Sequence, residues 1–305
     1  MKPLEAYITE SLYNHLNIEY GIFENAGLYD GIEELCSFLV NKIKAKQKDK
    51  KFIISFNSDD AQLSKMKNIF FKTIVLKCTR TAALSLSGET SGECVINDES
   101  DYDPIENKFN CIEIRLTLPI KTSNAYKNNL FKTLLHELTH AWDNFNHVKR
   151  YSTSLKTINV DRYNKIIDAV LSNGSYSTKT LGQILYFTDP VEVNAMLAGL
   201  AGYLYTNVQS NTINDPHAAL KIIKSSNLYK NYVTIGEIID DIYNKTVDNE
   251  FMHSLCEEYN KIYGTNFTED KIRKQLYIQY RKVRNRIESN IGKICTKYIK
   301  TFVLR

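Results

Sequence analysis

The feature that most constrains this chain is an apolar run at helical spacing that carries two histidines four residues apart. It reads Leu-Leu-His-Glu-Leu-Thr-His-Ala-Trp over residues 134–142. At 100° per residue its apolar side chains share an arc of about 140°, and His136 and His140 fall on the opposite side. The arc contains Leu130, Phe131, Leu134, Leu135, Leu138, Ala141, Trp142 and Phe145. The pattern predicts an amphipathic helix with a core face and a separate histidine face.

The histidine pair predicts a zinc site. Side chains at positions i and i+4 lie one above the other on a helix, so His136 and His140 can hold one ion between them. Neutral imidazole is a preferred ligand of Zn²⁺, and a catalytic zinc keeps one position open for water. Glu137 follows the first histidine and is placed to act as the base for that water. The alternative is a pair of surface histidines on an ordinary amphipathic helix.

Length and composition predict one catalytic unit with two parts. A chain of 305 residues with 43% hydrophobic residues can form one large domain or two packed lobes. We expect an α/β lobe over residues 1–148, ending in the metal-binding helix, and a helical lobe over residues 149–305. No stretch has the pattern of a signal peptide or a membrane span, and the six cysteines form no Cys-x-x-Cys pair. We therefore expect a cytoplasmic protein with reduced thiols and no membrane partner.

Alternating residues at 110–119 predict a half-buried strand shortly before the histidine helix. Ile112, Ile114, Leu116 and Leu118 alternate with Cys, Glu, Arg and Thr. With the other strand-like runs of the first half, they predict an α+β fold with a small mixed sheet. An edge strand beside a metal cleft can pair an extended peptide by strand addition. We expect the strand over 110–119 to be this docking strand.

These residues resemble the zincin metallopeptidases, whose mark is a His-Glu-x-x-His helix preceded by a mixed sheet with a substrate-binding edge strand. The branch with a third histidine six residues after the second is not matched, because Asn146 stands there and Asp143 replaces that branch's glycine. The motif is locally similar to SprT-like peptidases, although no downstream His-Gly segment offers their third histidine. The chain resembles the gluzincins most, in which a carboxylate on a later helix completes the site. The resemblance implies zinc-dependent hydrolysis of protein or peptide substrates, with Glu137 as general base.

Glu192 is the best match to the third ligand that the gluzincin resemblance implies. Asp189 and Pro190 mark a helix start, and Glu192 occupies the third helical position of an otherwise apolar segment. The small residues Ala195 and Gly199 favour a close approach to the histidine helix. Two alternatives remain open. Asp189 is the runner-up ligand, and Glu192 can instead form a capping box with Asp189.

Supporting residues can be proposed for the same site. Asp143 lies three positions after His140 on the histidine side, where it can accept a ring N–H and fix a ligand's tautomer. An exposed helix aspartate is the alternative. The oxyanion needs a hydrogen-bond donor, and the candidates are Tyr151, Tyr186, Tyr203 and His217.

Residues 268–302 predict a long terminal helix with one apolar seam. The seam consists of Ile272, Leu276, Tyr280, Val283, Ile287, Ile291, Ile294 and Tyr298. Residues 271–305 contain eleven Lys and Arg residues but a single acidic residue, Glu288. This excess of positive charge indicates a solvated outer helix or a nucleic-acid-binding helix. The alternatives to a simple peptidase are therefore a SprT-like nucleic-acid-associated protease and a catalytically inactive structural or interaction protein that a zinc ion stabilises.

Overall fold

The chain adopts a mixed α+β fold, as its sequence predicts. The computed structural model describes residues 26–58, 70–82, 84, 90–95, 102–103, 105–120, 126–151, 165–166, 169, 174–210 and 215–303. Its elements group by their contacts into two units, of which unit 1 comprises Met1–Ser154 with Asn194–Asn207, and unit 2 comprises Leu155–Val193 with Val208–Arg305. Residues 194–207 thus group with the first unit, although they lie within the predicted helical lobe.

Unit 1 is built on a small mixed sheet. Its elements are α1 (Ala26–Ala45), β1 (Lys51–Asn57), β2 (Phe71–Thr81), β3 (Ser91–Val95), β4 (Tyr102–Asp103), β5 (Lys108–Pro119) and α2 (Tyr126–Tyr151). The strand order is β1-β2-β5-β3, and the short β4 also pairs with β5. Strands β2 and β5 are parallel, whereas the other pairs are antiparallel.

Strand β5 covers the segment expected to dock a substrate, and that expectation is wrong. β5 pairs with β2 along one side and with β3 along the other, so both sides of its backbone are engaged. Of the strands the structure describes, β3 and the short β4 lie at this border of the sheet. An alternating pattern shows which side chains are buried but not which strands lie alongside. The sequence therefore predicts the position of the strand along the chain correctly, but the strand is not the edge strand that a docked peptide would need.

The core of unit 1 lies between the sheet and its helices. Ile112, Ile114, Leu116 and Leu118 of β5 are buried, as their alternation predicts. The apolar arc of α2 is also buried, apart from the half-buried Trp142. The opposite face of the sheet carries ion pairs, in which Glu113 binds Lys77 and Arg115 at 2.6 and 2.8 Å. One face of the sheet thus supports the core and the other is polar.

The remaining helices follow in chain order. They are α3 (Tyr176–Thr188), α4 (Pro190–Ser210), α5 (Pro216–Ser225), α6 (Asn227–Tyr243), α7 (Asn249–Tyr263) and α8 (Glu269–Val303). The predicted seam of α8 is confirmed for its seven members from Ile272 to Ile294, all of which are buried. Tyr298 has its side chain outside the described part. None of the described helices combines the length and apolar character that crossing a membrane requires.

Two glycines of unit 2 give a matched stability test. A methyl group added at Gly236 of α6 would meet the hydroxyl and ring of Tyr280, whereas one added at Gly292 of α8 would meet nothing within 4 Å. We expect Gly236→Ala to lower the free energy of unfolding by about 1–3 kcal/mol through overpacking. Gly292→Ala should raise it by up to about 1 kcal/mol, because alanine is the better helix former. Urea denaturation measures both, and equal effects from the two substitutions would contradict the packing of α6 on α8.

Candidate metal centre

The histidine side of helix α2 is more deeply buried than its sequence predicts. His136 and His140 are half-buried, but their neighbours Thr133, Glu137 and Thr139 are only 6, 5 and 1% exposed. The hydroxyl of Thr139 donates a hydrogen bond to the backbone carbonyl of Leu135 at 2.7 Å. The histidine side therefore lines an enclosed site and is not an open surface.

The two histidines face each other as their spacing predicts. Their Nε2 atoms lie 3.1 Å apart. The rings are nearly perpendicular, with an angle of 83° between their planes. Two nitrogens bound to one tetrahedral zinc ion at about 2.0–2.1 Å lie about 3.3 Å apart. The pair is thus already spaced for one ion.

Glu192 completes a three-residue group with this pair. One potential ligand atom from each of His136, His140 and Glu192 lies within 4.8 Å of the others. Asp189, the runner-up ligand, is not a member of the group. Drawing three such atoms to the spacing of a tetrahedral ion needs less than about 1.5 Å of side-chain movement. Two imidazoles and a carboxylate are a zinc ligand set that leaves a fourth position open, so these residues fit the ion.

Burial of Glu192 helps to decide whether its carboxylate binds a metal or only caps the start of helix α4. Helix α4 begins at Pro190, directly after Asp189, as predicted. The backbone N–H of Asp189, which a capping box would direct at Glu192, donates to the carbonyl of Tyr186 at 3.2 Å. Glu192 is only 2% exposed. Because a cap at a helix start normally remains in water and a buried carboxylate requires compensation, burial favours the metal-ligand interpretation.

Residues 194–207 of α4 pack directly on the histidine helix. A methyl group at Gly202 would lie 3.0 Å from Leu135 and 3.2 Å from Phe131, so the two backbones approach closely there. Tyr205 stacks on Phe131 with ring centroids 5.4 Å apart. Small residues were expected to permit this approach. The close approach is observed at Gly202, whereas the small residues predicted to permit it are Ala195 and Gly199.

The amide of Asn194 links the same two helices one turn beyond the site. Its Nδ2 donates to Oδ2 of Asp143 at 3.1 Å. Asp143 was expected to accept from a ligand histidine. That role stays a prediction. The hydrogen bond from Asn194 connects Asp143 to the helix that carries Glu192, so Asp143 can hold the two helices in register.

Strand β3 lies against the carboxylate of Glu137. A methyl group at Gly92 would lie 2.7 Å from Cγ and 2.8 Å from Oε1 of Glu137. Cys94, two residues further along the strand, is close enough for the charge of Glu137 to act on it. Burial raises the pKa of the Cys94 thiol well above its usual value, and Glu137 adds to the rise. Nothing in the sequence indicates that Gly92 lies beside Glu137.

The oxyanion donor stays a prediction. Tyr203 lies eleven residues after Glu192 on the same helix, a rise of about 16 Å. His217 is exposed at the start of α5, where its amide bonds Asp215. Tyr186 is half-buried near the end of α3. The side chain of Tyr151 lies outside the described part of the chain.

Comparison of the chain with protein-family models, curated proteins and solved structures found no match. The chemistry of the site must therefore be argued from its own residues.

Proposed function

We propose that this protein is a zinc-dependent metallopeptidase of the zincin type, closest to the gluzincins. The observation that carries the proposal is the convergence of His136, His140 and Glu192 within 4.8 Å. Glu137, which follows His136 in the sequence, is buried. Two imidazoles and one carboxylate supply three ligands and leave a position for water and substrate. A carboxylate next to that position is what hydrolysis requires.

Each residue has a separate role in the proposed reaction. His136, His140 and Glu192 would hold the ion, which as a Lewis acid would lower the pKa of water towards about 7 and polarise the scissile carbonyl. Glu137 takes a proton from the attacking water and later delivers it to the leaving amine. Burial of Glu137 keeps bulk water from competing for that proton. Asp143 and Asn194 maintain the spacing of the two ligand-bearing helices.

The proposed substrate is an extended segment of a protein or peptide. Strand β3 takes over the docking role first assigned to β5, because it lies at the border of the described sheet and its Gly92 touches Glu137. A peptide that adds to β3 as a further strand would pass next to the base. Backbone pairing would supply affinity, and the neighbouring side chains would set preference.

Metal content tests the proposal. We expect purified protein to bind one zinc ion per chain and to cleave a casein-like substrate. Dialysis against a chelator should abolish the cleavage, and one equivalent of Zn²⁺ should restore it. Elemental analysis and the release of labelled peptides measure the two properties on the same sample.

Two results of this experiment would redirect the proposal. Absence of stoichiometric zinc would contradict the metal site itself. Stoichiometric zinc without cleavage of any peptide would favour the inactive structural protein, in which the ion only stabilises the fold.

A further inference from the structure

Strand β3 and helix α2 meet along a row of regularly spaced contacts. The hydroxyl of Thr90 bonds the carbonyl of Asn129 at 3.0 Å and the hydroxyl of Thr133 at 2.6 Å. Gly92 abuts Thr133 and Glu137, and Cys94 lies within range of the charge of Glu137. Thr90 and Gly92, two residues apart, thus meet Asn129, Thr133 and Glu137, which follow one another at intervals of four residues on the helix.

Helix and strand geometry explain the match. Four helical residues rise about 6 Å, and two strand residues rise about 6.6 Å, so contacts of this spacing stay in register from Asn129 to Glu137. The hydrogen bonds of Thr90 fix the register at one end of the row. Gly92 then falls opposite Glu137.

Gly92 is the position where any side chain would collide. An added methyl group would lie 2.7 Å from Cγ and 2.8 Å from Oε1 of Glu137, and 2.9 Å from Cγ2 of Thr133. Real methyl carbons essentially never approach other heavy atoms below 3.0 Å. Thr133 is held by its hydrogen bonds to Thr90, so we expect the side chain of Glu137 to shift.

We propose that Gly92 is a positioning residue for Glu137, and that its missing side chain fixes where the proton-accepting carboxylate sits relative to the metal and to a peptide on β3. This role rests on the proposed peptidase function. The three atoms nearest to the added methyl group belong to Glu137 and Thr133 and to none of the proposed ligands, so we expect the ion to bind equally well when position 92 is filled. The consequence is a loss of turnover without a loss of zinc.

The test compares Gly92→Ala with a second variant and a control. A displacement near 1 Å costs about 100-fold in rate, so we expect kcat of Gly92→Ala to fall about 100-fold, while KM and zinc content stay near wild-type values. The double variant Gly92→Ala with Thr133→Ser removes the methyl group of Thr133 but keeps its hydroxyl bond. It should recover part of the lost kcat. Gly292→Ala, a glycine replacement with open space around it, should leave kcat unchanged.

Structure determination supplies a readout besides activity. The crystal structure of zinc-loaded Gly92→Ala should show the Glu137 carboxylate displaced from its wild-type position. Wild-type kcat, or an unmoved carboxylate, in Gly92→Ala would overturn the proposal. If Gly92→Ala does not fold, the kcat of the double variant and the position of its Glu137 carboxylate test the proposal instead. A wild-type protein that cleaves no peptide would refute the peptidase function, whereas the position of the carboxylate would still test Gly92.

Discussion

Replacing Glu137 with glutamine is expected to abolish most proteolysis while the zinc remains bound. Glutamine preserves the volume of a side chain that is only 5% exposed, so packing against Gly92 is kept. The amide cannot accept the proton of water, and positioned acid–base catalysis contributes about 10²–10⁴-fold to rates. We expect kcat to fall by about that factor, measured as the initial rate on a casein-like substrate at saturating zinc.

An exposed glutamate provides the control for Glu137→Gln. Glu288 on α8 is 55% exposed and pairs with Arg284, so Glu288→Gln should leave both rate and zinc content unchanged. Proteolysis by Glu137→Gln at the wild-type rate would remove Glu137 as the base. A loss of zinc together with activity would instead assign Glu137 a role in holding the metal.

The second large effect is expected at Glu192. Replacing it with glutamine removes one of three proposed ligands but keeps the shape of a side chain that is 2% exposed. We expect zinc affinity to fall by more than the roughly 10–100-fold that residues outside the ligand shell contribute. Activity at limiting zinc should fall with it. Competition with a coloured chelator measures the affinity.

Thermal unfolding of Glu192→Gln distinguishes a metal-ligand role of Glu192 from a helix-cap role. At a free zinc concentration 100 times the dissociation constant, the wild-type protein should gain about 2.7 kcal/mol of stability. Glu192→Gln should lose that gain and melt no lower than wild type without metal, because it no longer buries a charge. A lower melting temperature without metal, with zinc affinity intact, would identify Glu192 as a helix cap. Asp189→Asn tests the alternative ligand and should retain wild-type zinc affinity.

Features encoded by local periodicity were predictable from the sequence. The apolar arc of α2 and the seam of α8 follow from residues three and four apart, and both are buried. The facing of His136 and His140 follows from their spacing. Glu192 could be selected because an Asp-Pro helix start preceded an acid on an apolar helix, where few acids occur.

Features that depend on tertiary neighbours were not predictable. The alternation of β5 is the same whether its backbone is paired on one side or on both, so the docking strand was misassigned. The position of Gly92 was not predictable, since nothing near it in the sequence reveals a contact with a carboxylate 45 positions later. Gly202 was missed for the same reason. Its partners, Leu135 and Phe131, belong to a helix more than 60 residues earlier.

The order of the three proposed ligands along the chain has a consequence during synthesis. His136 and His140 leave the ribosome first, and Glu192 follows 52 residues after His140. At about 5–20 residues per second, the nascent chain carries the two histidines without the carboxylate for roughly 3–10 seconds. A two-histidine site holds a metal weakly, and proteolytic chemistry needs the complete set. Under the proposed function, the order of the three residues would keep the growing chain inactive until Glu192 has been made, after the described sheet and the histidine helix.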